Sequence, residues 1–177
     1  MADVQTLIDR NLEFTGSFDQ GHLAILPRLS TLVLTCLDAR VDPAHFFGLQ
    51  LGDAVVMRTI GGRVTDEIIE HIAILRALAG LVGGGAFEVA IVHHTDCGAS
   101  RFANPEVRQK LGQAAGTGEA AIERLAITDP HISVVEDLDR LRVAPILPDD
   151  LVVAGYVYDV TDGHVREVFA PASLRAT

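Results

Sequence analysis

Hydrophobic positions along the chain form two kinds of pattern that alternate, namely short continuous apolar runs and longer segments with apolar residues at helical spacing. Residues 30–36, 53–58 and 87–93 are short, apolar runs rich in β-branched residues, which predict buried strands. Between the second and third runs, residues 65–80 keep apolar side chains at helical spacing behind a capping threonine and two acids, which predicts a helix. The same spacing predicts an amphipathic helix near residues 3–15.

The remainder of the chain continues this alternation. An Asp-Pro pair predicts a short helix at residues 42–49, and helices are predicted over residues 100–141, with breaks near 112–118 and 129–130. Residues 151–168 predict a strand, an Asp-Gly turn and a returning strand. Strands that alternate with helices predict an α/β fold, with a mostly parallel central sheet flanked by helices and a C-terminal hairpin.

Composition narrows the class of protein and of partner. The chain has 177 residues, is 49% apolar and 21% charged, and carries a net charge of −10. These values predict a single globular domain over residues 1–177 and argue against a nucleic-acid partner, which needs a basic face. No stretch reaches the roughly 20 apolar residues of a membrane span, and the N-terminus lacks the apolar core of a signal peptide. We therefore expect a cytoplasmic protein with neither a membrane nor a nucleic-acid partner.

Both cysteines of the chain stand at the end of an apolar run, beside polar residues that can bind a metal. Cys36 ends the first predicted strand, in "LTCLDARVDP", and Cys97 follows the third, in "IVHHTDCGAS". Ligands of α/β sheets gather beyond the carboxyl ends of the strands, so neighbouring first and third strands would bring both loops together. In a reducing compartment, such cysteines are metal ligands, catalytic groups or inert core more often than a disulfide.

The residue types in the two loops suit zinc. The first loop offers Cys36 and Asp38, and the second offers a histidine and Cys97. Two thiolates and one imidazole with an exchangeable fourth position are typical of a catalytic zinc site. Asp38 could fill that position or hydrogen-bond a water there, and Arg40 could hold Asp38 by charge-assisted hydrogen bonds.

The two motifs together resemble those of a known family. "CLDAR" followed by "HTDCG" is similar to the signatures of the β-class carbonic anhydrases, Cys-x-Asp-[Ser/Ala]-Arg and His-x-x-Cys-Gly. The resemblance is dense over residues 34–102, where it includes "FFGLQLGDAVVMRTIGGRVTDE", and the short chain resembles the compact prokaryotic branch. It implies one zinc ion per chain, with Cys36, His94 and Cys97 as ligands. Asp38 would be either a fourth ligand, in a closed site, or the partner of Arg40, in an open one.

The activity implied by this resemblance is the reversible hydration of carbon dioxide to bicarbonate by a zinc-bound hydroxide, as in a carbonate dehydratase. Asp38 and Arg40 are the implied catalytic pair. The alternatives are hydrolysis of carbonyl sulfide or carbon disulfide at the same zinc site, and a non-catalytic zinc-binding relative. The family also implies a homodimer or homotetramer, in which the partner subunit lends part of the wall of the site.

The choice of His94 as the ligand also agrees with its spacing. Two residues between His94 and Cys97 bring both onto one turn, whereas His93 should point to the opposite face of its strand as a packed or hydrogen-bonded histidine.

Two departures from the family leave the preferred substrate open. Residues 58–61 are "RTIG" where Arg-Asn-Ala-Gly is common, and Ala99 stands where methionine is frequent.

Two further polar residues near these motifs have simpler interpretations. Asp96 is expected to cap the turn that follows it. The glycine pair in "IGGRVTDE" is expected to form a structural turn, with guidance of an anion as a weaker role for Arg63.

Overall fold

A computed structural model of the protein describes residues 4–175, and its centre is a five-stranded sheet. The strands are Thr31–Cys36 (β1), Val55–Thr59 (β2), Glu88–His94 (β3), Val152–Tyr158 (β4) and Val165–Ser173 (β5). Their order is β2-β1-β3-β4-β5, and only β4 and β5 are antiparallel. The prediction of an α/β fold with a mostly parallel sheet and a C-terminal hairpin is confirmed.

The predicted helices are present in the described part of the chain. They are Val4–Thr15 (α1), Pro43–Phe46 (α2), Asp66–Leu81 (α3), Pro105–Ala115 (α4), Glu119–Glu123 (α5) and Pro130–Arg142 (α6). The side chain of Thr65 accepts from the backbone N–H of Ile68 and so caps α3, as its position predicts. Within residues 4–175, no helix is long and apolar enough to cross a membrane.

The main hydrophobic core lies between one face of the sheet and helices α3 and α6. Alternate residues of β1 and β3 point into it, because successive side chains of a strand face opposite sides. The strands contribute Leu32, Leu34, Val89, Ile91 and Val153, and the helices contribute Ile68, Ile69, Ile72, Val134, Leu138 and Leu141. Burial of these aliphatic side chains fixes which face of each strand is turned inward.

The order of the strands places the two cysteine loops side by side. The chain runs from β1 outward to β2, and then crosses back over β1 through α3 to reach β3. The order therefore reverses between β1 and β3, the point at which α/β sheets bind ligands. The loops after Cys36 and His94 both open at this point.

Two elements differ in detail from their sequence patterns. The hairpin has a six-residue connection, residues 159–164, instead of a two-residue Asp-Gly turn, and the backbone N–H of Asp159 donates to the carbonyl oxygen of His164 to close it. The side chain of Asp159 accepts from the backbone N–H of Thr161 and from the hydroxyl of Thr95. Helix α1 forms, but the four aliphatic residues that share one of its faces are all more than half exposed. They are Val4, Leu7, Ile8 and Leu12, and we call them the α1 apolar face.

Candidate metal centre

Cys36, His94 and Cys97 form a buried cluster at the carboxyl ends of β1 and β3. One ligand atom from each residue lies within 4.8 Å of the others, and the three residues are at most 5% exposed. The two Sγ atoms are 3.9 Å apart. Tetrahedral zinc with Zn–S bonds of about 2.3 Å would separate its two sulfurs by about 3.8 Å. The spacing of the donor atoms therefore fits a metal of this kind.

The orientation of the His94 ring supports the same interpretation. Its Nδ1 lies 2.8 Å from the carbonyl oxygen of Thr95, which can only accept, so Nδ1 carries the proton and Nε2 keeps its lone pair. Nε2 is buried and has no hydrogen-bond partner among the described residues. A buried nitrogen without a partner costs free energy unless something binds it, and a metal ion would do so.

The two thiols influence each other's ionisation. The contact with the Cys97 thiol lowers the pKa of Cys36, against the opposing effect of burial. His94 and the backbone N–H of Asp38 act in the same direction as Cys97. The contact with Cys36 and burial raise the pKa of Cys97. One thiolate is therefore favoured before any cation arrives, and a cation would be needed to stabilise the second.

Asp38 lies outside the three-residue cluster, and Arg40 binds both of its oxygens. Arg40 donates from Nη2 to Oδ2 at 2.7 Å, and from Nε and its backbone N–H to Oδ1 at 3.0 and 2.9 Å. These bonds lower the pKa of Asp38 to about 2 and raise that of Arg40. Of the two arrangements left open by the sequence, the structure has Asp38 paired with Arg40.

Asp96 also binds Arg40, and the prediction that it caps the next turn is wrong. Its Oδ2 lies 2.8 Å from Arg40 Nη1, and its backbone oxygen lies 3.0 Å from Arg40 Nη2. The 3-10 turn that follows has Cys97 at its N-cap position, without a side-chain cap. Asp96 adopts a left-handed backbone conformation, with φ of 51°. Its position between two candidate ligands was the only signal in the sequence for this role.

Two residues from β2 and the turn after it shape the loop that carries Cys36. Arg58 donates to the carbonyl oxygens of Cys36 and Asp38, at 2.9 and 2.6 Å. Gly62 has a φ of 72°, and a Cβ placed on it would lie 3.2 Å from the backbone nitrogen of Cys36. The glycine turn predicted from "IGGRVTDE" is thus confirmed, and both the left-handed φ and the close approach of two backbones favour glycine here.

His93 and Arg63 are occupied by other contacts. His93 is fully buried on the opposite side of β3, as predicted, and its Nε2 lies 2.9 Å from Asp137 Oδ2. Arg63 donates to Asp137, to Glu136 and to the carbonyl oxygen of Ala126. The guanidinium of Arg63 therefore binds two acidic side chains of α6 and one backbone carbonyl. These contacts do not support the alternative that Arg63 guides an anion.

Comparison with known proteins finds a matching family model and several similar proteins. A family model described as "Carbonic anhydrase" matches residues 31–165. The chain is 30% identical over 162 residues to β-carbonic anhydrase 1 of Mycobacterium tuberculosis (strain CDC 1551 / Oshkosh), covering 89% of this chain and 93% of that protein. It is 28% identical over 188 residues to the carbon disulfide hydrolase of Acidianus sp. (strain A1-3), covering 93% of this chain and 90% of that protein.

A solved structure supports the same relationship. The carbonic anhydrase of Streptococcus mutans superposes with a TM-score of 0.83 at 35% sequence identity, over 95% of this chain and 98% of the other. The agreement thus extends over almost the whole of both chains.

Proposed function

The chain belongs to the β-carbonic anhydrase family, and from this membership we propose that it catalyses the reversible hydration of carbon dioxide to bicarbonate. The observation that carries the proposal is the Asp38–Arg40 pair beside the buried cluster of Cys36, His94 and Cys97. A purely structural metal site is closed by four protein ligands and needs no such pair. Three ligands leave a fourth position for water.

The proposal assigns one zinc ion to each chain and one domain to residues 1–177. Cys36, His94 and Cys97 would hold the ion, because thiolate and imidazole together suit zinc. When bound, zinc lowers the pKa of a water in its open position to roughly 7 and so supplies hydroxide near neutral pH.

In this proposal, Asp38 orients water and Arg40 orients Asp38. With a pKa of about 2, Asp38 remains an anion throughout the neutral range and can accept a hydrogen bond from water. Such a weak base holds a proton poorly, so the proton released by hydration has to leave through another group or through buffer. Arg40 binds both Asp38 oxygens and would so keep the carboxylate from occupying the fourth position.

The second candidate is hydrolysis of carbonyl sulfide or carbon disulfide at the same site. It is favoured by the carbon disulfide hydrolase relatives, one of which matches 93% of this chain. These molecules are linear and are attacked at carbon, as carbon dioxide is, so the same hydroxide would serve. Ile60, 41% exposed in the turn after β2, stands where the family commonly has alanine and adds apolar surface there.

Stopped-flow hydration of carbon dioxide on protein of verified zinc content, from neutral to alkaline pH, tests the proposal. We expect fast turnover that rises with pH, and none in Cys97→Ala protein prepared in the same way. A wild-type protein that holds one zinc per chain and does not hydrate carbon dioxide would contradict the proposal. Rates on carbonyl sulfide and carbon disulfide would then separate the second candidate from a non-catalytic relative.

We also propose a homodimer or homotetramer that acts in the cytoplasm. Support for association comes from the α1 apolar face and from an apolar groove on the sheet face opposite the main core. That groove is lined by Val33, Phe47, Leu49, Ala90, Tyr156 and Val165. The two free, buried cysteines fit a reducing compartment. Light scattering after size exclusion tests the proposed association, and a monomer at micromolar concentration would contradict it. Cell fractionation tests the proposed cytoplasmic location.

A further inference from the structure

Asp137 is a buried carboxylate of α6 that bonds side chains from two other parts of the fold. Its Oδ2 lies 2.9 Å from His93 Nε2, and its Oδ1 accepts from Arg63 Nε at 3.1 Å. The side chains of Asp137 and His93 are 0% exposed, and that of Arg63 is 11% exposed. Because an unpaired buried carboxylate is costly, Asp137 needs both partners, and in turn it fixes their positions.

The contact with His93 secures β3 at the place where its backbone support decreases. The parallel pairing of β3 with β1 ends at Val92, so His93 and His94 are paired with β4 alone. His93 and His94 are consecutive, and their side chains point to opposite faces of the strand. A His93 ring held by Asp137 therefore fixes the rotation of the strand that presents His94 to the cluster.

The contact with Arg63 secures the glycine turn against the loop of Cys36. Arg63 directly follows Gly62, where an added Cβ would lie 3.2 Å from the backbone nitrogen of Cys36 and 3.4 Å from the ring of His93. Arg63 also donates to Glu136 on α6 and to the carbonyl oxygen of Ala126. Movement of this side chain would move the turn on which the Cys36 loop rests.

We propose that Asp137 is a positioning residue of the metal centre, which ties β3 and the glycine turn to α6 so that His94 and Cys36 present their donor atoms to one ion. This inference deepens the proposed function and rests on it. Removal of the groups that orient metal ligands commonly weakens metal binding or activity by about 10- to 100-fold. Asp137 acts one residue away from a ligand, so we expect the lower end of that range, about tenfold.

The test uses the zinc-loaded protein and its cobalt-substituted form, with the variant Asp137→Asn. Asparagine keeps the shape of the side chain but removes the charge that pairs with Arg63. We expect zinc affinity, measured by competition with a chelator, to fall about tenfold. We also expect the ligand-field bands of bound cobalt to shift, because they report the geometry of the donor atoms. The kcat should fall more than the KM rises, since no substrate contact is removed.

Asp53→Asn is the matched control for this variant. Asp53 is also buried, at 5% exposure, and also pairs with an arginine, Arg28, but it lies before β2, at the opposite end of the sheet from Cys36. We expect this control to lower the melting temperature while it leaves the cobalt spectrum and zinc affinity unchanged. Equal spectra and affinities for wild type, Asp137→Asn and Asp53→Asn would overturn the inference and reduce Asp137 to a structural ion pair.

His93→Leu provides a second route if Asp137→Asn does not fold. Leucine has no donor for Asp137, so this variant breaks the contact from the other side and leaves Arg63 and Asp137 paired. It should shift the cobalt spectrum in the same way, and an unchanged spectrum in His93→Leu would overturn the inference. A wild-type chain that binds no zinc would overturn the proposed function as well, whereas an active wild type with unaffected variants would overturn only the role of Asp137.

Discussion

Arg40 Nη1 lies 2.8 Å from Asp96 Oδ2, and this contact joins the loop after β1 to the loop after β3. Arg40 also binds both oxygens of Asp38, so the guanidinium that holds Asp38 is itself held by the loop between His94 and Cys97. Asp38 is thereby oriented by both of the loops that carry the candidate ligands.

Asp96→Asn should lower the turnover of carbon dioxide by about two- to fivefold, because an exposed ion pair contributes at most about 1 kcal/mol. Asparagine tolerates the left-handed backbone of this position, so the fold should be unaffected. Stopped-flow kinetics measure the effect, with Asp162→Asn as the control, since Asp162 is another partly exposed aspartate paired with an arginine. Equal rates for the two variants would contradict a role for Asp96.

Arg40→Ala should keep the zinc content of the protein and lower its turnover by about 10- to 100-fold. Asp38 loses the arginine donors that bind both of its oxygens, and it becomes free to bind the metal instead. Metal analysis and kinetics on the same sample measure both effects. Arg28→Ala, which removes an arginine paired with Asp53, is the control. Unchanged turnover in Arg40→Ala would refute this account of the pair.

Cys97→Ala should remove most of the bound zinc and all detectable activity. One thiolate of the cluster is lost, and neither Asp38 nor His93 lies within the group of potential ligand atoms to replace it. Since the residue is small and buried, the fold should persist, as circular dichroism can check. A full zinc complement in this variant would show that the ligand assignment is wrong.

Gly62→Ala should destabilise the fold and also weaken metal binding. The left-handed backbone costs a side chain about 1–2 kcal/mol, and the added Cβ would press on the backbone nitrogen of Cys36. Gly116→Ala is the control, since Gly116 has a φ of 65° and no atom within 4 Å of an added Cβ. Chelator competition should separate the two variants, and equal affinities would argue against the importance of this close approach.

Acid titration should detect the ion pair that Asp162 forms with Arg166 beside the hairpin connection. Hydrogen bonds from Arg166 and from the backbone N–H of His164 lower the pKa of Asp162 to about 2 from 3.8. The stabilisation from this carboxylate is therefore complete above pH 3.8 and is lost as the pH falls through 2. Carboxyl NMR should show the midpoint of Asp162 rising toward 3.8 in Arg166→Ala, and an unmoved midpoint would contradict this cause.

The sequence predicted the elements whose signal is local. Continuous apolar runs rich in β-branched residues located β1 and β3, and the carboxyl-end rule brought Cys36 and Cys97 together although they are 61 positions apart. The contacts of Asp137 with His93 and of Arg40 with Asp96 span 44 and 56 positions and depend on packing that no spacing encodes. The exposure of the α1 apolar face could not be predicted from the sequence either, because periodicity identifies an apolar face but does not show what packs against it.

The donor atoms of the cluster come together only after β1 and β3 have paired, which couples metal supply to folding. An ion that needs both Cys36 and His94 binds the assembled sheet and has little affinity for a chain in which these strands are apart. By mass action, a ligand at 1,000 times its Kd stabilises the folded state by about 4.1 kcal/mol. Metal scarcity should therefore lower the lifetime and abundance of the chain, in addition to its activity.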